Sequence, residues 1–414
     1  MDELKTLVVA GACNFPDGTG GAPRCMHMLA KGFQDIGMHV DVVTTFGSAG
    51  AKGSLPFGFT CFGVLESRSV GSTSWERIRT HVLFLLALAA RTIKGRYDYT
   101  LFYGPVASFV LVSALCRLFG RKSMYFRGDI EPRTPNQSLK ERWKRRSVNL
   151  VDVFLARMSG LVVIIGTKKL LDRYRRFAPR TPKLQILAPV DTALFASGNG
   201  DAFRRRHGLE DRMLVAYSGT LDTIEGIQVL LTAFGKVASE SADATLVLAG
   251  SSDHIDRVVG RKLDFPALAR EAGLEGRCLF TGHVSLSEVI DLLNAADILV
   301  MPKIRHPMND VASPIKIGEY LAAGRPVVMS VICELEEHLV DRENAMFVEP
   351  GNVEALADAL LEIINDGALQ RRLAENGRQA ALRLFDYRSI AGQIMERYSQ
   401  VSRRGPWPLR TGGE

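Results

Sequence analysis

From Ser313 to Val328 the chain reads SPIKIGEYLAAGRPVV, which places a helix start, a carboxylate and a strand in one run. Ser313 is a good N-cap and Pro314 suits the first helical position. Gly324 ends the helix, Pro326 stops it continuing, and Val327 to Met329 reads as a buried strand. A helix N-terminus presents backbone N–H groups and a positive dipole end. Ser313, Pro314, Ile315 and Lys316 are therefore candidate contacts for a phosphate. Glu319 lies about one and a half turns into the helix. A carboxylate there can accept two hydrogen bonds from a vicinal diol such as ribose. Diphosphate plus ribose describes a nucleotide sugar. The same residues also read as a plain capped helix with a Glu319–Lys316 pair.

Other residues able to do chemistry sit where loops follow strands. Gly20 and Gly21 let the backbone approach a phosphate or an acceptor at the mouth of the first helix; a plain β–α turn is the alternative. Gly219 and Thr220 form a turn directly after a strand. Arg127 and Asp129 follow a strand end, as site residues or as a surface ion pair. His283 also follows a strand, and reads either as a flank for a nucleobase or as structural. Lys140 to Arg146 (KERWKRR) is a basic helical face with one tryptophan. It reads as a solvated face, or as a contact for an anionic acceptor or lipid headgroups. Single-stranded nucleic acid needs several aromatics among the basic residues, so no nucleic-acid partner is expected. No Asp-x-Asp pair occurs, and no metal site or other cofactor is expected.

The elements that must hold these loops alternate strand and helix. Apolar runs at Thr6 to Ala10, Val40 to Thr44, Tyr99 to Tyr103, Ser123 to Phe126, Leu161 to Ile165 and Gln185 to Leu187 read as parallel strands. Helical stretches separate most of them, the longest from Ser138 to Met158. A break near Pro189 to Gly200 is followed by a second series, with strands at Leu214 to Tyr217, Thr245 to Ala249, Cys278 to Thr281, Ile298 to Met301 and Val327 to Met329. This is the grammar of α/β doubly wound sheets. Two Rossmann-like halves are expected, at 1–196 and 197–386, with ligands beyond the carboxyl ends of the strands in a central cleft. Residues 402–414, rich in Gly, Pro and Arg, are expected to be a disordered tail.

The 414 residues suffice for two or three domains, and a 46% hydrophobic content suffices for full cores. The formal charge of +7 suits anionic ligands or an anionic membrane surface. Six scattered cysteines without a C-x-x-C pair suggest reduced thiols, and the N-terminus runs straight into a strand. Cytoplasmic residence is expected. The longest apolar run, Val82 to Ala90, is too short to span a bilayer and is flanked by basic residues. It reads as a core helix or as a helix at the inner membrane face.

From Leu4 to about Val401 the chain resembles the retaining glycosyltransferases of family 4. Several blocks carry the likeness: Gly18 to Ala22 with Gly37 to Val40, Ala188 to Thr192 with Phe195, Tyr217 to Leu221, Phe280 to Val284, Ala295 to Ile298, and Ser313 to Val328. The resemblance implies the GT-B fold. It also implies metal-independent transfer of a sugar, with retained anomeric configuration, from a nucleotide diphosphate donor (UDP- or GDP-sugar). The acceptor would be a hydroxyl on a glycan, a lipid-linked molecule or a small molecule. Phe385 to Tyr387 with Ile390 to Val401 resembles the family's last helix, which returns to the first domain, so 387–401 is assigned there.

The departures are specific. The family has a second glutamate eight positions before Glu319; here Val311 stands there, with Asp310 adjacent as a substitute. The family's Arg and Lys after the first strand of the second domain match Thr220 and Glu225. Glu225 is expected to turn away from a diphosphate, leaving Lys303, Arg305 and Lys316 as the available cations. In the first domain, Arg127 and Asp129 stand where the family often has a histidine. A nucleotide-sugar epimerase or hydrolase, and a non-catalytic partner protein, are the alternative readings.

Overall fold

The computed structural model describes residues 6–15, 21–47, 60–63, 82, 86, 88–90, 97–107, 109–128, 138–309 and 313–402. Gly20, Asp129, Asp310, Val311 and the segment beyond Ser402 lie outside the described residues.

The chain divides into two compact units, Met1–Pro189 with Tyr387–Glu414, and Val190–Asp386. The first holds a seven-stranded sheet in the order β3-β2-β1-β4-β5-β6-β7. These strands are β1 (Thr6–Phe15), β2 (His39–Gly47), β3 (Thr60–Gly63), β4 (Tyr99–Tyr103), β5 (Lys122–Arg127), β6 (Leu161–Ile165) and β7 (Lys183–Ile186). The second holds six strands: β8 (Met213–Ser218), β9 (Ala244–Ala249), β10 (Cys278–Gly282), β11 (Ile298–Met301), β12 (Val327–Ser330) and β13 (Met346–Val348). Their order is β10-β9-β8-β11-β12-β13. Every strand pair in both sheets is parallel. Parallel strands need both faces covered, which explains the unbroken apolar runs: β6 and β9 are buried at every position.

Each sheet reverses direction once, between β1 and β4 and between β8 and β11. Such switch points leave a crevice at the carboxyl ends of the two strands, and ligands of open α/β sheets bind there. The second domain's switch point puts the loop after β8, beginning at Gly219, beside the loop after β11, which contains Lys303.

The boundary between units lies at Pro189, not at 196. Val190 bridges Asp386, and the Thr192 hydroxyl donates to Asp386 Oδ2 at 2.6 Å, which ties the short Thr192–Phe195 helix to the second unit. The last helix, Tyr387–Ser402, packs on the Gly21–Asp35 helix of the first unit. Gly32 makes the close approach possible: a Cβ there would lie 2.5 Å from the Tyr387 carbonyl oxygen. Strands β3 and β13 and the helices Lys168–Phe177 and Gly200–His207 were not expected from the sequence. The two strands are short edges, and the two helices are strongly charged, with only Leu170 and Tyr174 or Phe203 buried. Within Val82 to Ala90, Leu88 and Ala89 enter the core while Val82 and Leu86 are exposed. Among the described residues, no helix is long and apolar enough to cross a membrane.

Candidate functional site

The helix after β11 runs Ile315–Ala322, one residue later than the sequence predicts. Pro314, not Ser313, is the N-cap, with no side-chain cap hydrogen bond. Proline fixes its own φ near the required value but carries no capping oxygen. The helix is anchored through Tyr320: its hydroxyl accepts from the Ser218 N–H at 2.7 Å and donates to the Ser218 carbonyl at 3.1 Å. That bond fixes the helix on the carboxyl end of β8. Gly318 allows it to sit close, because a Cβ there would meet Phe385 and Val190 at 2.8 Å. Glu319 is buried one turn in from the N-terminus.

The loop from Gly219 to Gly226 is held in a backbone path that only glycine permits at its ends. Gly226 has φ +80°, and a Cβ there would lie 1.8 Å from the Pro302 carbonyl oxygen. Gly219 and Gly250 meet at the ends of β8 and β9, where a Cβ on Gly250 would lie 1.7 Å from the Gly219 carbonyl oxygen. The Gly250 N–H donates to the Gly282 carbonyl at 2.9 Å. His283, exposed and next in sequence, therefore sits on the same rim. Inside the loop, the buried Asp222 accepts from the Ile224 N–H at 2.9 Å and from Arg257 at 2.8 Å.

Glu225 is the centre of the cluster, and it turns inward. Lys303 Nζ donates to Glu225 Oε1 at 2.6 Å, and Lys316 Nζ donates to Glu225 Oε2 at 2.7 Å. Lys303 also donates to Asn309 Oδ1 at 3.1 Å, and Asn309 in turn donates to the Ile224 and Ile304 carbonyls. Lys316 donates to the Tyr217 hydroxyl at 2.7 Å and lies 4.6 Å above that ring. The Tyr217 hydroxyl donates to the Thr220 carbonyl at 2.8 Å. Burial pushes the Glu225 carboxyl up, but the Lys316 and Lys303 ammonium groups more than reverse this and hold it at about 2. Burial pushes the Lys316 ammonium down, and the Glu225 charge opposes that shift. Burial, reinforced by Glu225, raises the Tyr217 phenol well above its usual value, so it remains a neutral donor.

Two lysines draw Glu225 into the loop. Lys303, Arg305 and Lys316, the cations expected for a diphosphate, each have a carboxylate partner. The first and third are shared by Glu225, and Arg305 pairs with Glu349 at 2.7 Å on the surface. Nor does Lys316 pair with Glu319 by hydrogen bond; it reaches across to β8 instead. Two ammonium groups and the Glu225 carboxylate thus meet where the β8 and β11 loops come together, under the start of the Ile315–Ala322 helix, with the buried Glu319 acting on Lys316 from the same helix. Sequence reasoning missed Tyr217, Tyr320 and Asn309. The signals were faint: an aromatic at the end of a strand, one beside the singled-out glutamate, and an amide six positions after Lys303.

In the first domain, Arg127 ends β5 and is largely buried beside Asp152, with Nε 3.7 Å from Oδ1. Tyr125 and Tyr174 each donate to Asp152 at 2.6 Å, and Arg173 stands 3.6 Å away. Arg127 is thus part of a buried ion network rather than a surface pair. Gly21 opens the Gly21–Asp35 helix.

The second domain resembles known proteins over most of its length. Residues 200–380 match the family model for glycosyl transferases group 1. An uncharacterized glycosyltransferase of Methanocaldococcus jannaschii is 27% identical over 47% of this chain and 47% of its own length. D-inositol 3-phosphate glycosyltransferase of Xylanimonas cellulosilytica is 30% identical over 57% of this chain and 53% of its own length. The chain thus spans about half the length of these curated relatives. Among solved structures, Anabaena HepE in complex with UDP superposes with a TM-score of 0.69, at 19% identity, over 96% of this chain and 100% of that one. The likeness covers both domains and shows the GT-B fold. The Lys303–Glu225–Lys316 cluster and the Ile315–Ala322 helix both lie within the matched segment, 200–380.

Proposed function

We propose that the protein is a retaining glycosyltransferase of the family 4 type, moving a sugar from a nucleotide diphosphate donor to a hydroxyl acceptor without a metal ion. The observation that carries this reading is the arrangement at the second domain's switch point. Two lysines on one carboxylate meet the N-terminus of a helix that buries Glu319. Glu319 takes the donor ribose. The helix start, from Pro314 to Lys316, takes the phosphates together with Lys303. As the bond to the sugar breaks, the leaving diphosphate gains one further negative charge, on the oxygen that keeps the bonding pair. Positioned ammonium groups and helix N–H dipoles stabilise such charge best where they need not reorganise. Glu225 holds both ammonium groups in place before the donor arrives. A diphosphate then competes with Glu225 for them, so each lysine exchanges one anionic partner for another rather than being ordered anew. UDP in the HepE structure and the inositol phosphate acceptor named for the Xylanimonas relative support a nucleotide-sugar donor and a hydroxyl acceptor. A glycan or a lipid-linked molecule fits the same chemistry.

The test is calorimetric titration with UDP- and GDP-sugars in EDTA, followed by NMR of the product's anomeric configuration with candidate acceptors. Binding in EDTA with transfer and retention supports the proposal. Donor turnover without an acceptor would favour the epimerase or hydrolase reading. No binding of any nucleotide sugar would make the chain a non-catalytic relative.

A further inference from the structure

The Leu139–Met158 helix of the first domain is amphipathic in an inverted sense. Its start is secured by a capping box: Glu141 Oε2 accepts the Ser138 N–H at 2.7 Å, and the Ser138 hydroxyl accepts the Glu141 N–H at 3.3 Å. Its inward face holds Leu155, Ala156 and the carboxylate Asp152, which accepts hydrogen bonds from Tyr125 and Tyr174 and faces Arg127 and Arg173. Its outward face holds Leu139, Trp143, Leu150 and Phe154, exposed at 72, 67, 73 and 39%. Their spacing of four, seven and four residues puts them on one side of the helix, with Arg146 and Ser147 between Trp143 and Leu150. Single exposed apolar side chains are ordinary, but four in a stripe on the solvent side of a domain are not.

Basic residues border the stripe on both sides. At about 100° per residue, Arg142 and Arg146 fall on one edge, and Lys140 and Lys144 on the other. Arg146 lies over the Trp143 ring at 5.9 Å. The helix has only two acids, Glu141 and Asp152; one caps the N-terminus and the other is buried. The neighbouring Phe109–Leu118 helix packs on this one and adds exposed Leu111 and Leu118.

We infer that this face docks on an anionic lipid bilayer, with the helix lying in the plane of the headgroups. Apolar side chains in a stripe reach the acyl boundary, roughly 5–10 Å deep, while the bordering cations stay with the phosphates. Lys and Arg stems suit that geometry because their apolar carbons bury while the charge remains wet. The charge complementarity points to a bilayer: the cations cluster around Leu139 and Trp143 at the start of the apolar stripe, where anionic headgroups would meet the first turns of the helix. Single-stranded nucleic acid would want bases stacked on several aromatics, and Trp143 and Phe154 are separated by three helical turns. The inference is independent of the donor chemistry, which resides in the other domain.

The test uses the full chain with vesicles of phosphatidylcholine alone and vesicles carrying about one-third phosphatidylglycerol. Co-sedimentation at low salt is expected only with the anionic vesicles, and is lost at roughly molar salt, where screening shrinks to about 3 Å. Each cation removed in the series Arg142→Gln, Lys144→Gln, Arg146→Gln lowers binding about fivefold. Trp143→Ser with Leu150→Ser abolishes it. Because these side chains are exposed, the variants keep the wild-type melting temperature and UDP binding. Should the double serine variant fail to fold, Leu139→Ser at the helix end serves in its place. Absence of binding to anionic vesicles at low salt overturns the inference. So does binding that neither series changes, and so does a concentration-dependent dimer, removed by Trp143→Ser, in a protein that ignores vesicles.

Discussion

Replacing Glu225 by glutamine tests the electrostatic centre of the proposed donor site. The substitution keeps the shape of the side chain and removes its charge. The Glu225 carboxyl is held at about 2 against an ordinary 4.5. A shift of that size corresponds to about 3 kcal/mol of stabilisation, at 1.36 kcal/mol per pKa unit. The side chain is one-tenth exposed, so solvent screening removes little of it. The folded-state value is depressed, so the stabilisation is fully present above pH 4.5 and is lost as the pH falls toward 2. At pH 7 the variant also leaves two ammonium groups facing each other without their anion, which acts in the same direction. For a domain of this size, about 3 kcal/mol lowers the melting temperature by roughly 6–12 °C. The assay is thermal unfolding of wild type and Glu225→Gln from pH 7 to pH 3, with and without saturating UDP. The gap between the two proteins narrows as the pH drops below 4.5. UDP rescues the variant by more degrees than the wild type, because no internal carboxylate competes with the diphosphate. Equal melting temperatures at pH 7, or a gap that does not change with pH, would refute the account. A larger UDP shift in the wild type would refute the competition between Glu225 and the diphosphate.

Glu319→Ala is expected to weaken donor binding by about 1.5–3 kcal/mol, the worth of hydrogen bonds to a charged group, read by titration with a nucleoside diphosphate and its sugar. Unchanged affinity would remove Glu319 from the site. Gly226→Ala forces a side chain into φ +80° and against the Pro302 carbonyl. A loss of about 2–5 kcal/mol is expected from strain and overpacking, measured by denaturant unfolding of the second domain. Gly32→Ala, in the middle of a helix, would gain roughly 1 kcal/mol on helix propensity alone. Here its Cβ meets the Tyr387 carbonyl, so the sign reverses, and limited proteolysis is expected to cleave near Asp386 sooner than in the wild type.

The sequence determined the classes of element and most of their order. Unbroken apolar runs such as Leu161 to Ile165 mark strands buried on both faces, because the pattern depends only on local burial. The Gly324–Pro326 stop and the last helix were legible for the same reason: they act within a few residues. Short elements with thin apolar faces, such as Met346–Val348 and Lys168–Phe177, were not, since their stability comes from neighbours distant in the chain. The site divides along the same line. Gly219, Lys303, Lys316 and Glu319 could be singled out by type and position. Their pairing could not, because Glu225 lies 78 positions from Lys303 and 91 from Lys316. Those side chains meet only when the switch point sets β8 beside β11, and a charge finds its partner by distance in space, through an interaction that falls off over a few ångströms in water. In the same way, the basic run with one tryptophan read either as a solvated face or as a contact for an anionic acceptor or lipid headgroups, and only the inward packing of Asp152 shows which side of that helix faces out.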